Sequence, residues 1–121
     1  MLVAYRSQGM AADIPTFGLD VRTEDQRTHI VPQGELDLAS APQLEDRLLE
    51  ELRGGEAPIV LDLRELTFMD STGVRAIVSA HQVAAETGTQ LVLVRPKAES
   101  AARRVIEISG IDVALGLVDA P

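Results

Sequence analysis

The feature that most restricts the fold is a pair of short, almost unbroken apolar runs, Ile59-Val60-Leu61-Asp62-Leu63 and Gln90-Leu91-Val92-Leu93-Val94. Runs of this length, bounded by turn residues, have the pattern of central strands covered on at least one face by helices. Between them Val74, Ile77, Val78, His81, Ala84 and Ala85 recur at helical spacing and Gly88 ends the segment. A helix is therefore predicted from about Thr72 to Glu86, with those residues on its packing side. A strand, a helix and a second strand in this order imply a parallel pair joined by a right-handed crossover.

The flanking segments fill in the rest. Phe17-Gly18-Leu19-Asp20-Val21 alternates apolar and polar residues, Glu24-Asp25-Gln26 is a polar turn, and His29-Ile30-Val31-Pro32-Gln33 reads as a second strand. The opening is thus a hairpin. Pro32 lacks an N–H, so it is expected at an exposed backbone position or a strand end, and Gly34 is expected to break the strand. Ser40-Ala41-Pro42-Gln43 reads as a helix start, with Ser40 as cap and Gln43 completing a capping box. Leu44, Leu48 and Leu52 form its apolar stripe and Gly54-Gly55 its stop. A third helix is predicted from about Ala98 to Ser109, carrying Ala101, Ala102, Val105 and Ile108 and terminated by Gly110, and Leu115–Val118 is predicted as a short last strand. The order β-β-α-β-α-β-α-β defines one α/β domain over residues 14–121, with residues 1–13 read as an N-terminal tail and Met10 as an alternative start. Its sheet is expected to be mixed and mostly parallel, with the hairpin at one edge and helices packed mainly on one side.

Composition removes several function classes. A net charge of −8 and an aromatic content of 2% argue against a phosphate-backbone or base-stacking partner, so no nucleic acid is expected. The chain has no cysteine, which excludes disulfides, thiol catalysis and cysteine zinc sites and fits a reducing cytoplasm. His29 and His81 are too few and too far apart in sequence for a metal site. No run reaches the roughly 18 apolar residues of a membrane span, and the start, with Arg6 its only early cation, is not a signal peptide. No phosphate-cradling glycine motif is present, so neither nucleotide nor other cofactor is expected. Asp37 and Asp62 read as a turn residue and a strand-end residue, not as a catalytic pair. Ser71 and His81 lie roughly 15 Å apart along one helix, too far for a triad. An enzyme is not expected.

The remaining signal is Leu66-Thr67-Phe68-Met69-Asp70-Ser71-Thr72-Gly73-Val74. A loop here ends in three consecutive capping residues, so a hydroxyl sits at the positive end of a helix beside a carboxylate. Such a hydroxyl either caps the helix or carries a phosphate, which the free amides and dipole of a helix start would favour. Thr72, one residue deeper, is the rival acceptor.

That stretch, with Gly34-Glu35-Leu36-Asp37, Leu61-Asp62-Leu63 and Ile106-Glu107-Ile108-Ser109-Gly110-Ile111, resembles the STAS domain family over residues 17–118, and most of all the bacterial anti-sigma factor antagonists. The resemblance implies a phosphorylation-controlled partner switch. The unphosphorylated antagonist binds an anti-sigma factor with serine kinase activity and frees a sigma factor. The kinase modifies the serine matching Ser71, and a separate serine phosphatase resets it. Asp37, Asp70 and Gly73 are implied neighbours of the phosphosite. The docking face is implied on the second helix and the loop before it, with Glu35, Asp37, Met69, Thr72, Val74, Arg75 and Val78 as contact residues. Arg75 departs from the small residue that many members carry there. The alternative implied by the family is an accessory subunit of a transporter or lipid-transfer complex, acting by the same kind of docking.

Overall fold

The computed structural model describes residues 16–55 and 57–121, so the tail at 1–13 and the alternative start at Met10 lie outside the described residues. Among the described residues nine elements follow one another: β1 (Phe17–Glu24), β2 (Arg27–Leu36), α1 (Ala41–Gly54), β3 (Ile59–Asp62), β4 (Leu66–Met69), α2 (Ser71–Thr87), β5 (Leu91–Val94), α3 (Ala101–Ser109) and α4 (Ile111–Ala114). The fold is the expected mixed α/β domain with a mostly parallel sheet and helices on one side. β1 and β2 pair antiparallel through a turn whose central residues, Asp25 and Gln26, both have positive φ (53° and 63°). That turn matches the twist of the strands it joins. β2, β3 and β5 run parallel, and β4 pairs with β2 beyond the end of β3.

The sheet departs from the sequence reading at β2. Neither Pro32 nor Gly34 ends that strand, which continues to Leu36. β2 pairs with β3 over Thr28–Ile30 and with β4 from Gly34 onward. The N–H groups of Thr28 and Gly34 both point to that side, donating to Pro58 O and Glu65 O. By strand alternation the missing N–H of Pro32 faces the same side, in the interval where β2 has left β3 and not yet met β4. Proline is thus tolerated in mid-strand because no ladder bond is due there. Gly34 has φ +88°, and the register shifts between it and Glu35.

Two further expectations are corrected. Leu66–Met69, read as loop, is β4. The last strand contracts to a single bridge, Val94 to Val118, preceded by the one-turn α4. The Arg95 guanidinium fixes this end by donating to Leu117 O at 2.7 Å. Arg103 in turn donates to Pro96 O at 2.6 Å, tying α3 to the chain before it.

The core is aliphatic: Leu44, Leu48 and Leu52 of α1 and Ile77 of α2 close over Ile30, Leu61 and Leu66 of the sheet. Each such side chain, fully buried, contributes about 1.5–3 kcal/mol. α2 is rotated from its predicted orientation. Its buried residues are Gly73, Ala76, Ile77, Ala80 and Ala84, whereas Val74, Val78 and His81 are half-buried and Ala85 is exposed. The alanine row at i, i+4 and i+8 lets α1 and α2 approach closely, while Val74 and Val78 pack against the margin of the core and Arg75 is exposed. Among the described residues no helix is long and apolar enough to cross a membrane.

Candidate docking and modification site

The parallel pairing of β2 with β4 builds the site. Leu36 is in register with Met69, and the Asp70 N–H donates to Leu36 O at 3.1 Å. The residues that follow, Asp37 and Asp70, therefore leave the carboxyl ends of adjacent strands side by side, the edge where parallel α/β sheets present their functional loops. Sequence spacing could not show this, since 33 positions separate them and β4 was unrecognised.

Asp70, and not Ser71, is the N-cap of α2. Its carboxylate accepts from the N–H of Thr72 at 2.9 Å and of Gly73 at 3.3 Å, and its carbonyl accepts from Val74 N–H. Such a cap is worth about 1 kcal/mol. Ser71 occupies the first helical position with its side chain exposed, and Thr72, one position on, is half-buried. The helix start is thus closed without the Ser71 hydroxyl. It also follows that the Thr72 and Gly73 amides, expected to be free for a phosphate, are already taken.

Asp37 is held by its own turn. Its Oδ1 accepts from the N–H of Ala39 at 3.0 Å and of Ser40 at 3.2 Å. Ser40 makes no cap bond for α1, contrary to the capping box. Its hydroxyl instead donates to Glu35 O at 2.7 Å and accepts from Asp37 N–H at 2.9 Å, bracing the loop from Glu35 to Ser40.

Gly73 is buried for a steric reason. A Cβ there would stand 2.7 Å from Met69 Cγ and 3.0 Å from Leu36 Cδ2, so the start of α2 rests directly on the ends of β4 and β2. Met69, with no exposed surface, is removed from the contact residues: it supports the site from beneath. Glu35, Arg75 and Ser71 are exposed, and Asp37, Thr72, Val74 and Val78 half-buried. Two apolar side chains missed in the sequence stand beside them, Leu38 at 75% and Phe68 at 41% exposure. Leu38 could have been found as the one large apolar residue in the polar turn after Asp37.

Asp62 belongs to a different arrangement, at the end of β3. Burial raises its carboxyl pKa, but hydrogen bonds from the Arg64 guanidinium at 2.7–3.2 Å and from Arg64 N–H at 3.0 Å outweigh that, leaving it below its ordinary 3.8. A depressed carboxylate contributes stability that is complete above its unfolded value and lost as the pH falls through the lower folded one. Asp62→Asn should therefore be less stable than the parent at neutral pH, and its stability should fall less steeply between about pH 5 and pH 2 in denaturant titrations.

The site is therefore an α/β domain's helix start that carries an exposed hydroxyl, with apolar and acidic side chains around it. The STAS domain family model matches residues 19–117, and the chain belongs to that family. Among its relatives, BtrV of Bordetella bronchiseptica, provisionally designated an anti-sigma factor antagonist, is 36% identical over 78 residues, 64% of this chain and 66% of that protein. The chain thus spans about two thirds of that relative. The anti-sigma-B factor antagonist of Bacillus subtilis is 27% identical over 85% of this chain and 89% of its own. An anti-sigma factor antagonist structure from Mycobacterium paratuberculosis superposes with a TM-score of 0.75 at 22% identity, covering 86% of each chain. The phosphorylated form of the Bacillus cell fate determinant SpoIIAA superposes at 0.65 and 22%, covering 86% of this chain and 92% of that one.

Proposed function

We propose that this protein is an anti-sigma factor antagonist, a non-enzymatic partner switch of the cytoplasm controlled by phosphorylation of Ser71. Unmodified, it docks an anti-sigma factor that is also a serine kinase, through α2 and the loops after β2 and β4, and so releases a sigma factor. The kinase transfers the γ-phosphoryl of ATP to Ser71 Oγ, with loss of the hydroxyl proton and release of ADP. A serine phosphatase hydrolyses the ester. The observation that carries this reading is the exposed Ser71 hydroxyl on a helix whose cap is already made by Asp70, beside Asp37. Modification there adds about 1.5–2 negative charges to a face that already holds carboxylates, and leaves the scaffold its own cap. The relatives' designations support the same role.

The test is incubation with the cognate kinase and ATP, followed by intact-mass measurement and site mapping. One added phosphate is expected on Ser71, and none on Ser71→Ala. A phosphate found on Thr72 alone, or a permease or transport ATPase as the co-purifying partner in place of a kinase, overturns the proposal.

A further inference from the structure

Resting on the reading of Ser71 as phosphoacceptor, we propose that Arg75 is the built-in counter-ion of that phosphate, its guanidinium pairing with the phosphate oxygens one helical turn along the exposed side of α2. A phosphate on Ser71 finds the helix dipole but not the hydrogen-bond donors that usually accompany it. The Thr72 and Gly73 amides are occupied by the Asp70 carboxylate. The charges that the fold brings nearest are negative: Asp70 is the preceding residue, and Asp37 emerges beside it through the Leu36–Met69 register.

Arg75 is the only lysine or arginine in α2. It is exposed and takes part in none of the ion pairs among the described residues. Residues four apart on a helix are neighbours, with Cβ atoms about 5–6 Å apart, a span that an arginine side chain covers. The planar guanidinium offers paired N–H donors that match two phosphate oxygens. The order is also favourable, with the anion toward the helix start and the cation one turn on.

The pair has a consequence for docking. Of the exposed and half-buried residues assigned to the docking face, Arg75 is the one cation. Phosphorylation then does two things together: it adds a dianion and withdraws from the partner the single positive group on that face.

The test uses the full chain with phosphoserine placed at position 71 by genetic encoding, in the parent and in Arg75→Gln and Arg75→Lys backgrounds. The second ionisation of the phosphate is followed by phosphorus NMR. It should lie lower in the parent than in Arg75→Gln by about 0.15–0.4 pH unit. Arg75→Lys should recover most of the difference, and about 1 M salt should shrink it. Coinciding midpoints in the parent and Arg75→Gln, or a lower one in Arg75→Gln, overturn the proposal. Because the phosphate is encoded and not enzymatically added, coinciding midpoints leave Ser71 phosphorylation standing. Failure of a kinase to modify Ser71 would sink that reading without touching the measured pair.

Discussion

Phosphorylated at Ser71, the protein should bind its anti-sigma factor roughly 30- to 1,000-fold more weakly than the unmodified chain, with little change in its own unfolding midpoint. The range corresponds to about 2–4 kcal/mol of charge conflict at an interface centre. Ser71→Glu, which brings a single charge on a shorter arm, should weaken binding about 10-fold, and Ser71→Ala should bind as the unmodified chain does. The insensitivity of the fold is part of the expected result. Ser71 is exposed, the cap bonds to Thr72 and Gly73 come from Asp70, and an anion in the first turn of a helix is favoured by its dipole. Titration calorimetry on the purified pair, beside urea unfolding of the antagonist alone, separates the two quantities. If Ser71→Glu binds as tightly as the parent, charge is not the switch.

Gly34→Ala should lower the stability of the domain by about 3–5 kcal/mol, a large share of the 5–15 kcal/mol that holds a domain of this kind together. Two costs combine. Gly34 has φ +88°, a conformation that side chains rarely adopt, and a Cβ there would stand 2.2 Å from Thr16 O. The obstructing atom is backbone, and Thr16 O also accepts a hydrogen bond from Glu35 N–H at 2.7 Å. No rotamer change relieves the clash, so β1 must separate from β2 at its first pairs or the Glu35–Asp37 segment must shift. Either movement disturbs the loop braced by Ser40. The variant should therefore lose partner binding before it is fully unfolded, which urea titration and a binding assay at low denaturant would show together. An unchanged unfolding midpoint would contradict the packing described here.

The readable parts of this fold were those specified locally. Helical spacing at Leu44, Leu48 and Leu52 gives α1 its buried stripe, the apolar runs at 59 and 91 give β3 and β5, and the Asp-Ser-Thr sequence marks the start of α2 within one residue. What stayed hidden depends on partners distant in sequence. Leu66–Met69 is only four residues long and mixes Thr67 with Phe68, so its strand character comes from β2 and not from its own pattern. Pro32 looked like an end because the sequence cannot show that β2 exchanges one parallel neighbour for another at that point. α2 contains more apolar residues than one face requires, and close packing against α1 selected the alanines over Val74 and Val78. At the site itself the candidate hydroxyl was legible, but the division of labour between Asp70 and Ser71 was not, because three adjacent residues all have capping chemistry and only the backbone geometry chooses among them.

Because the carboxylate of Asp70 holds the helix end by itself, position 71 is thermodynamically spare. On the proposed reading, phosphate is added and removed there without a refolding step in any cycle. The tempo of such a device would then be set by how fast its enzymes arrive and leave, and a neighbour's small mutation could retune that tempo while the architecture beneath stays the same.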